Sequence, residues 1–331
     1  MSAVGLHLNG VGAVSPAGWS AQDLLHVVRA GAALPVTNLM RSKGERTWDC
    51  RARTVPPAPL EKQVRHPRFR RVSPISRYAA AASLEALKDA GFGTPPPRLA
   101  ILFVMMNGCV NYTGRFYQEV LDNPAQASPL IFPETVFNAP ASHIAALLGV
   151  DGAVSTILGN ANAIMEALEM AKVWLRCGVC DHCLVVGAEE SDWLSAEALS
   201  YYHEDHVASE GAGALLVSLE GSGPRMENII GPLAYHTWRE RGKKLPQLAT
   251  AASILIDDRT GIAKHDAYER AAWSFQTFDT VHSPKKILGE SMGASTALQL
   301  VLATLESREQ KVSVAVSMPG SNAAAYACVV G

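Results

Sequence analysis

The sequence predicts an α/β protein built on strands that are buried from both sides. Three observations carry that prediction. Short, wholly apolar runs at residues 99–106 (LAILFVMM) and 183–188 (CLVVGA) have the length and content of strands covered on both faces. Stretches of helical spacing separate such runs, with Ile164, Leu168, Ala171 and Leu175 along one face after a Gly159-Asn160 turn. Helix punctuation falls where the alternation requires it. Ser73-Pro74 opens an alanine-rich helix, Gly91 closes it, and Gly178 closes the helix that starts near Ala161.

Taken in order, the chain opens with a small-residue strand over residues 4–14, stopped by Ser15-Pro16. Residues 41–71 are polar, basic and proline-bearing, and read as an excursion over the surface. After the Ser73 helix, Thr94-Pro95-Pro96-Pro97 leads into the strand at 99–106. Further strands are expected at 153–158, 183–188 and 214–219. Residues 221–224 read as a seam, dividing the chain into halves at 1–221 and 222–331. The second half holds a basic run at 239–244, a strand near 254–256, helices from about Asp266 and over 293–305, and a last strand at 325–330.

Composition removes whole classes of function. Across 331 residues, 48% hydrophobic and 18% charged side chains exclude a disordered chain. With 29 basic against 31 acidic side chains the net charge is −2, so no global field draws in nucleic acid or an anionic membrane. No apolar run is long enough to span a bilayer, and MSAVGLHLNG lacks the basic start and apolar core of an export signal. Six cysteines in that setting read as reduced thiols in the cytoplasm.

The strand-turn-helix at residues 155–163 is the most informative local feature. A helix N-terminus presents unpaired N–H groups and positive partial charge, a cradle for an oxyanion. Yet Asn160, Ala161, Asn162 and Ala163 offer no covalent nucleophile, and Ser155 and Thr156 belong to the strand. The CxxCxxC spacing of Cys177, Cys180 and Cys183, with His182, admits a zinc reading. Ligands split between a helix end and a strand would diverge, so these read as small buried hydrophobes and neither metal nor cofactor is expected. Arg65, His66, Arg68, Arg70 and Arg71 form a basic cluster that is either a solvated face or a docking patch for a small acidic partner. Asp258, Asp266, Lys285 and Glu290 read as a paired network at strand ends, with a general base as the alternative.

In this order, VGAVSPAGWS, RRVSPISRYAAAASLEALKDAG, FPETVFNAPASHIAALLGVDG, WLRCGVCDHCLVVGAEE and EGAGALLVSLEG resemble the dimeric β-ketoacyl synthases. The resemblance runs through almost the whole chain. It implies a thiolase-like, five-layered αβαβα fold of two similar halves. It also implies a dimer in which each protomer helps to wall the other's acyl tunnel.

The departures bear on chemistry. The family's acyl-accepting cysteine falls on Ala161. Its first histidine, in His-Gly-Thr-Gly-Thr, falls on Asp258 of DRTGIAKHD, with Thr260, Gly261 and Asp266 matching. Its second, in Lys-Ser-x-x-Gly-His, falls on Glu290 of KKILGE, with Lys285 and Gly289 matching. The Gly-Phe-Gly-Gly-Thr-Asn gate becomes Met318, Pro319, Gly320, Ser321 and Asn322. Condensation needs a thiolate to hold the acyl chain and neutral imidazoles to stabilise an enolate. An alanine and two carboxylates supply neither, and Lys285 is expected to pair with Asp258 or Glu290.

The resemblance therefore implies a catalytically silent, chain-length-factor-like subunit. Its expected partners are an active ketosynthase in a heterodimer and an acyl carrier protein docked through Arg65, Arg68, Arg70 and Arg71. Such factors serve polyketide and aryl-polyene pathways. The alternatives are an acyltransferase or thioester hydrolase using Asp258 or Glu290, and a homodimeric acyl-binding scaffold.

Overall fold

The first strand of the chain, β1 (Leu6–Val14), lies in the middle of the largest sheet. A Cβ at Gly10 or Gly12 would stand 2.1 Å from the backbone oxygen of Ala86 or Ala82, so the helix carrying those alanines rests directly on the strand. The structure is a computed structural model that describes residues 5–43, 46–235, 237, 240, 243, 245, 251–320 and 324–331.

After α1 (Ala21–Ala30), β2 (Thr37–Lys43) and β3 (Arg46–Arg53) pair as an antiparallel hairpin. This corrects the expected surface excursion over residues 41–71 as far as Arg53, whereas residues 54–71 run as loops and short turns that are mostly exposed or half-buried. Cys50 and Ala52 of β3 are buried in a small cluster with Ala196 and Leu199. A one-sided hairpin needs apolar residues on a single face, so its composition reads as polar. The helix α2 (Pro74–Asp89) follows where Ser73-Pro74 places it. The Ser73 hydroxyl does not cap it, and instead donates to the buried Glu190 carboxylate at 2.7 Å.

The next elements are β4 (Leu99–Met105), α3 (Val110–Asp122), α4 (Ala139–Leu148), β5 (Val154–Leu158), α5 (Ala163–Arg176) and β6 (His182–Glu189). Then come α6 (Trp193–Ser200), β7 (Ala208–Ser209), β8 (Gly211–Ser218), β9 (Arg225–Ala234), β10 (Ile254–Ile256) and α7 (Ala263–Ala272). The chain finishes with β11 (Thr280–His282), α8 (Pro284–Leu288), α9 (Ser295–Gln310), β12 (Val314–Pro319) and β13 (Ala324–Val330).

Ten strands form one mixed sheet in the order β11-β10-β12-β13-β9-β1-β8-β6-β4-β5, and β2-β3-β7 form a second. Counted in chain order, β1, β4, β5, β6 and β8 lie in space as 3-2-4-5-1, and β9 to β13 lie as 3-2-4-5-1 as well. The two first strands, β1 and β9, meet antiparallel at the centre. The expected seam at 221–224 joins β8 to β9 on either side of β1, so the sheet continues through it.

Both faces of the sheet are covered, and β4 shows how. Leu102 and Val104 enter the cluster containing Ile164, Leu168 and Leu300, whereas Ile101, Phe103 and Met105 enter the cluster containing Ile75, Ala82 and Ile144. Alternating residues thus face α5 and α9 on one side and α2 and α4 on the other. Among the described residues, no helix is long and apolar enough to cross a membrane.

Candidate functional site

The turn between β5 and α5 forms one wall of a cavity of about 280 Å³. The helix starts at Ala163, two residues later than its spacing suggests, because Asn160 organises a turn first. Its side-chain oxygen accepts from Asn162 N–H at 3.3 Å, and its carbonyl accepts from Ala163 N–H at 3.0 Å. Asn162 Nδ2 donates to the Ala324 carbonyl at 3.0 Å, tying this turn to β13. Ala161 lines the cavity and presents a methyl group to it.

Opposite this turn the C-terminal half supplies three charges. Asp258 lies just past β10, Lys285 sits on α8, and Glu290 follows Gly289, whose φ of 93° turns the chain. Lys285 Nζ stands 2.7 Å from Asp258 Oδ1 and 2.8 Å from Glu290 Oε2, so the lysine pairs with both expected partners at once. Glu290 Oε1 accepts from Met292 N–H at 2.9 Å and from the Ser295 hydroxyl at 2.6 Å. Asp266 stays outside this group, accepting from the N–H groups of Thr260 at 2.9 Å and Gly261 at 3.1 Å and closing the loop that carries Asp258.

Burial and pairing set the charge states. Burial pushes the Asp258 carboxyl up to about 8, with Lys285 opposing and Glu269 and Glu290 adding to the rise. Burial also works against Glu290, but Lys285 and its hydrogen bonds outweigh it and hold that carboxyl below its usual range. The ammonium of Lys285 is raised because the two carboxylates overcome its desolvation. At neutral pH the floor is accordingly a Lys285–Glu290 ion pair beside a largely protonated Asp258.

Sequence reasoning missed His206 and His265, which line the same cavity with Tyr202, Leu199 and Met292. Burial pushes His206 down to about 4, helped by His265, His203 and Lys285 and opposed by Glu290. Burial lowers His265 as well. The signal available in the sequence was YYHEDH just ahead of EGAG, a dense aromatic and histidine loop between a helix and a buried strand.

The remaining residues singled out by sequence separate. Pro319 and Gly320 line the cavity, whereas Met318 is wholly buried in the main core, because alternation along β12 turns it inward. Ser321, Asn322 and most of the basic run at 239–244 lie outside the described residues. Cys177 is exposed, while Cys180 and Cys183 are buried. Among the described residues, no group of three donor side chains is placed to hold a metal ion.

The basic cluster divides as well. Arg65 and Arg70 line a groove of about 810 Å³ with Lys62 and Arg77, while Arg71 faces a smaller pocket with Tyr112 and Arg115. Arg68 is exposed on the turn Pro67–Arg71 and lines neither.

Comparison with known proteins agrees with this architecture. The model of the β-ketoacyl synthase N-terminal domain matches residues 10–219. Among solved structures, the ishigamide ketosynthase/chain length factor superposes with a TM-score of 0.79 at 18% identity, covering 98% of this chain and 99% of that one. A type II PKS acyl-carrier protein complex with its ketosynthase bound to the hexaketide, AntDE:AntF, gives 0.78 at 15% identity and covers 99% of both chains. The ketosynthase ApeO in complex with its chain length factor ApeC, from Xenorhabdus doucetiae, gives 0.78 at 14% identity, covering 99% of this chain and 98% of that one. At such identities the likeness speaks for the fold. No curated protein matches the sequence.

Proposed function

The chain belongs to the β-ketoacyl synthase family, and from that membership we propose that it is a catalytically silent member. In this reading it is the chain-length-factor-like subunit of a cytoplasmic heterodimer with an active ketosynthase, in type II polyketide or fatty-acid-like assembly. One observation carries the reading. Where condensation needs a thiolate, the cavity holds the Ala161 methyl, and a Lys285 ammonium clamped between Asp258 and Glu290 stands where the resemblance puts the family's two imidazoles, while His206 and His265 enter the cavity from other elements. That trio satisfies its own charges, and it offers an incoming thioester neither a nucleophile nor a free cation.

Other features support the assembly. The edge strand β5 pairs on one side with β4 and carries the exposed apolar side chains Val154 and Leu158. Phe132, Val136 and Phe137 add exposed apolar surface, the kind of patch that another chain covers. Arg65, Arg68, Arg70 and Arg71 would dock the acyl carrier protein. The repeated 3-2-4-5-1 strand order supports a thiolase-like fold of two halves, 1–221 and 222–331. The carboxylate-hydrolase alternative is weakened at Glu290, which is committed to Lys285, Met292 N–H and the Ser295 hydroxyl.

The test is purification from the native host, followed by assay of the chain alone and with whatever ketosynthase accompanies it. A stoichiometric ketosynthase partner is expected, with condensation of acyl and malonyl carrier-protein thioesters by the pair and none by this chain. Condensation by the chain alone, or a lone homodimer, overturns the reading.

A further inference from the structure

We propose that the cavity beside α5 binds an uncharged aromatic molecule, its ring at the mouth against Tyr202 and the His206–His265 pair and its hydroxyl or amide group inside, towards Thr260 and Asp258. The proposal concerns the cavity's own lining and holds with or without a ketosynthase partner. Tyr202 lies on the loop between α6 and β7, and it lines the cavity although it is 71% exposed. Among the described residues its ring meets no other ring. An aromatic side chain left in water at the edge of a cavity offers a ligand both apolar area and a π surface.

Two imidazoles reach the same cavity from different elements, His206 from the end of that loop and His265 from α7. Their ring centroids stand 5.8 Å apart at 46°, and His203 packs against both, at 6.4 and 6.0 Å. Each of the pair is half-buried, and burial lowers both, so at neutral pH they present uncharged rings. Met106 and Met292 line the cavity as well, and a thioether sulfur is attracted to the edge of an aromatic ring. An alkyl chain would gain burial from these walls but nothing from their rings or sulfurs.

Charge selects against an acid. Among the described residues that line the cavity, Lys285 is the one lysine or arginine, and Asp258 and Glu290 already hold it at 2.7 and 2.8 Å. A ligand carboxylate would find no free cation there and would meet Glu290 instead. Uncharged polar groups fare better. The Thr260 hydroxyl accepts from Ile262 N–H at 3.4 Å and donates to no acceptor among the described residues, which leaves its hydrogen for a ligand oxygen. Asp258, largely protonated near neutral pH, is a second donor. Size agrees with one ring: an apolar cavity of about 150 Å³ suffices for benzene, and this one of about 280 Å³ adds room for its substituents.

The experiment is a titration of the full chain at neutral pH, followed by ligand-detected NMR, with para-hydroxybenzamide, with para-hydroxybenzoate and with the cyclohexane analogue of the amide. Saturable one-to-one binding of the aryl amide is expected, with the benzoate and the cyclohexane analogue each about tenfold weaker. Tyr202→Ala is expected to weaken the aryl amide about tenfold, and Tyr202→Phe to bind it as the parent does, because the ring and not the hydroxyl is engaged. Tyr201 is 80% exposed and does not line the cavity, so Tyr201→Ala is expected to leave binding unchanged. Circular dichroism verifies that each variant is folded, and the three ligands test the proposal on the parent chain by themselves. Absence of saturable binding, equal binding by the benzoate or by the cyclohexane analogue, or an unaltered Tyr202→Ala variant overturns the proposal. The ketosynthase partner is read separately, by condensation, so failure here leaves the proposed heterodimer standing.

Discussion

Two clusters of charge on this molecule have opposite characters. In the cavity beside α5, Lys285 is buried and meets two carboxylates within 2.8 Å. In the groove beside α2, four cations surround an apolar floor and no carboxylate lines the walls. A buried ammonium without partners would be too costly to keep, so its counter-charges had to come from the chain itself. Exposed guanidinium groups are solvated at little cost and can remain available to something that arrives from outside. The buried cluster is neutralised within the fold, and the open one leaves its charges to solvent.

That contrast breaks first at Lys285. Replacing it with Met leaves the buried Glu290 carboxylate without its cation, and a loss of about 3–5 kcal/mol in unfolding free energy is expected by chemical denaturation. Adding Asp258→Asn and Glu290→Gln should recover most of the loss, since the requirement is neutrality and not any one charge. A Lys285→Met variant as stable as the parent would mean that the trio is not the keystone of the cavity.

The second prediction concerns pH. His206 titrates near 4 in the folded chain, against about 6.5 when unfolded. Below about 6.5 the unfolded chain takes up this proton and the folded chain does not, so stability present above that value is lost as the pH falls towards 4. The thermal midpoint should drop over this window, and His206→Asn should flatten the drop. An unchanged profile in that variant would place the acid sensitivity elsewhere.

The smallest stability effect belongs to the groove. Arg65→Gln and Arg70→Gln should shift unfolding free energy by no more than about 0.5 kcal/mol. The same changes should weaken carrier-protein affinity, and salt should weaken it further in the parent chain. A large stability loss in either variant would erase the distinction between the two clusters.

Several elements were legible because their burial is written into local pattern. The strands β4, β6 and β10 are apolar runs, and the buried face of α5 is spaced as a helix requires. The helix α3 was not anticipated and buries none of its side chains, so no core-facing stripe drew attention to it. The hairpin β2–β3 was hidden by its one covered face, and Met318 was misplaced because resemblance to a gate says nothing about which way a strand residue turns. Within the site, Asp258, Lys285 and Glu290 were readable as a pairing of opposite charges. His206 and His265 were not, for they stand far apart in the chain and meet at the cavity only after α6 and α7 are placed.

The sequence by itself determined the α/β alternation and the resemblance to the family. Those are properties of residue type and short-range period, and they survive without knowledge of neighbours. Only the tertiary structure decided that one lysine serves two carboxylates. It also divided the basic cluster between a groove and a second pocket, and set Arg77 and Lys62 on the walls of one groove. The reason is physical: pairing energies and cavities depend on distances between side chains remote along the chain, and those distances exist only once the sheet has brought its helices together.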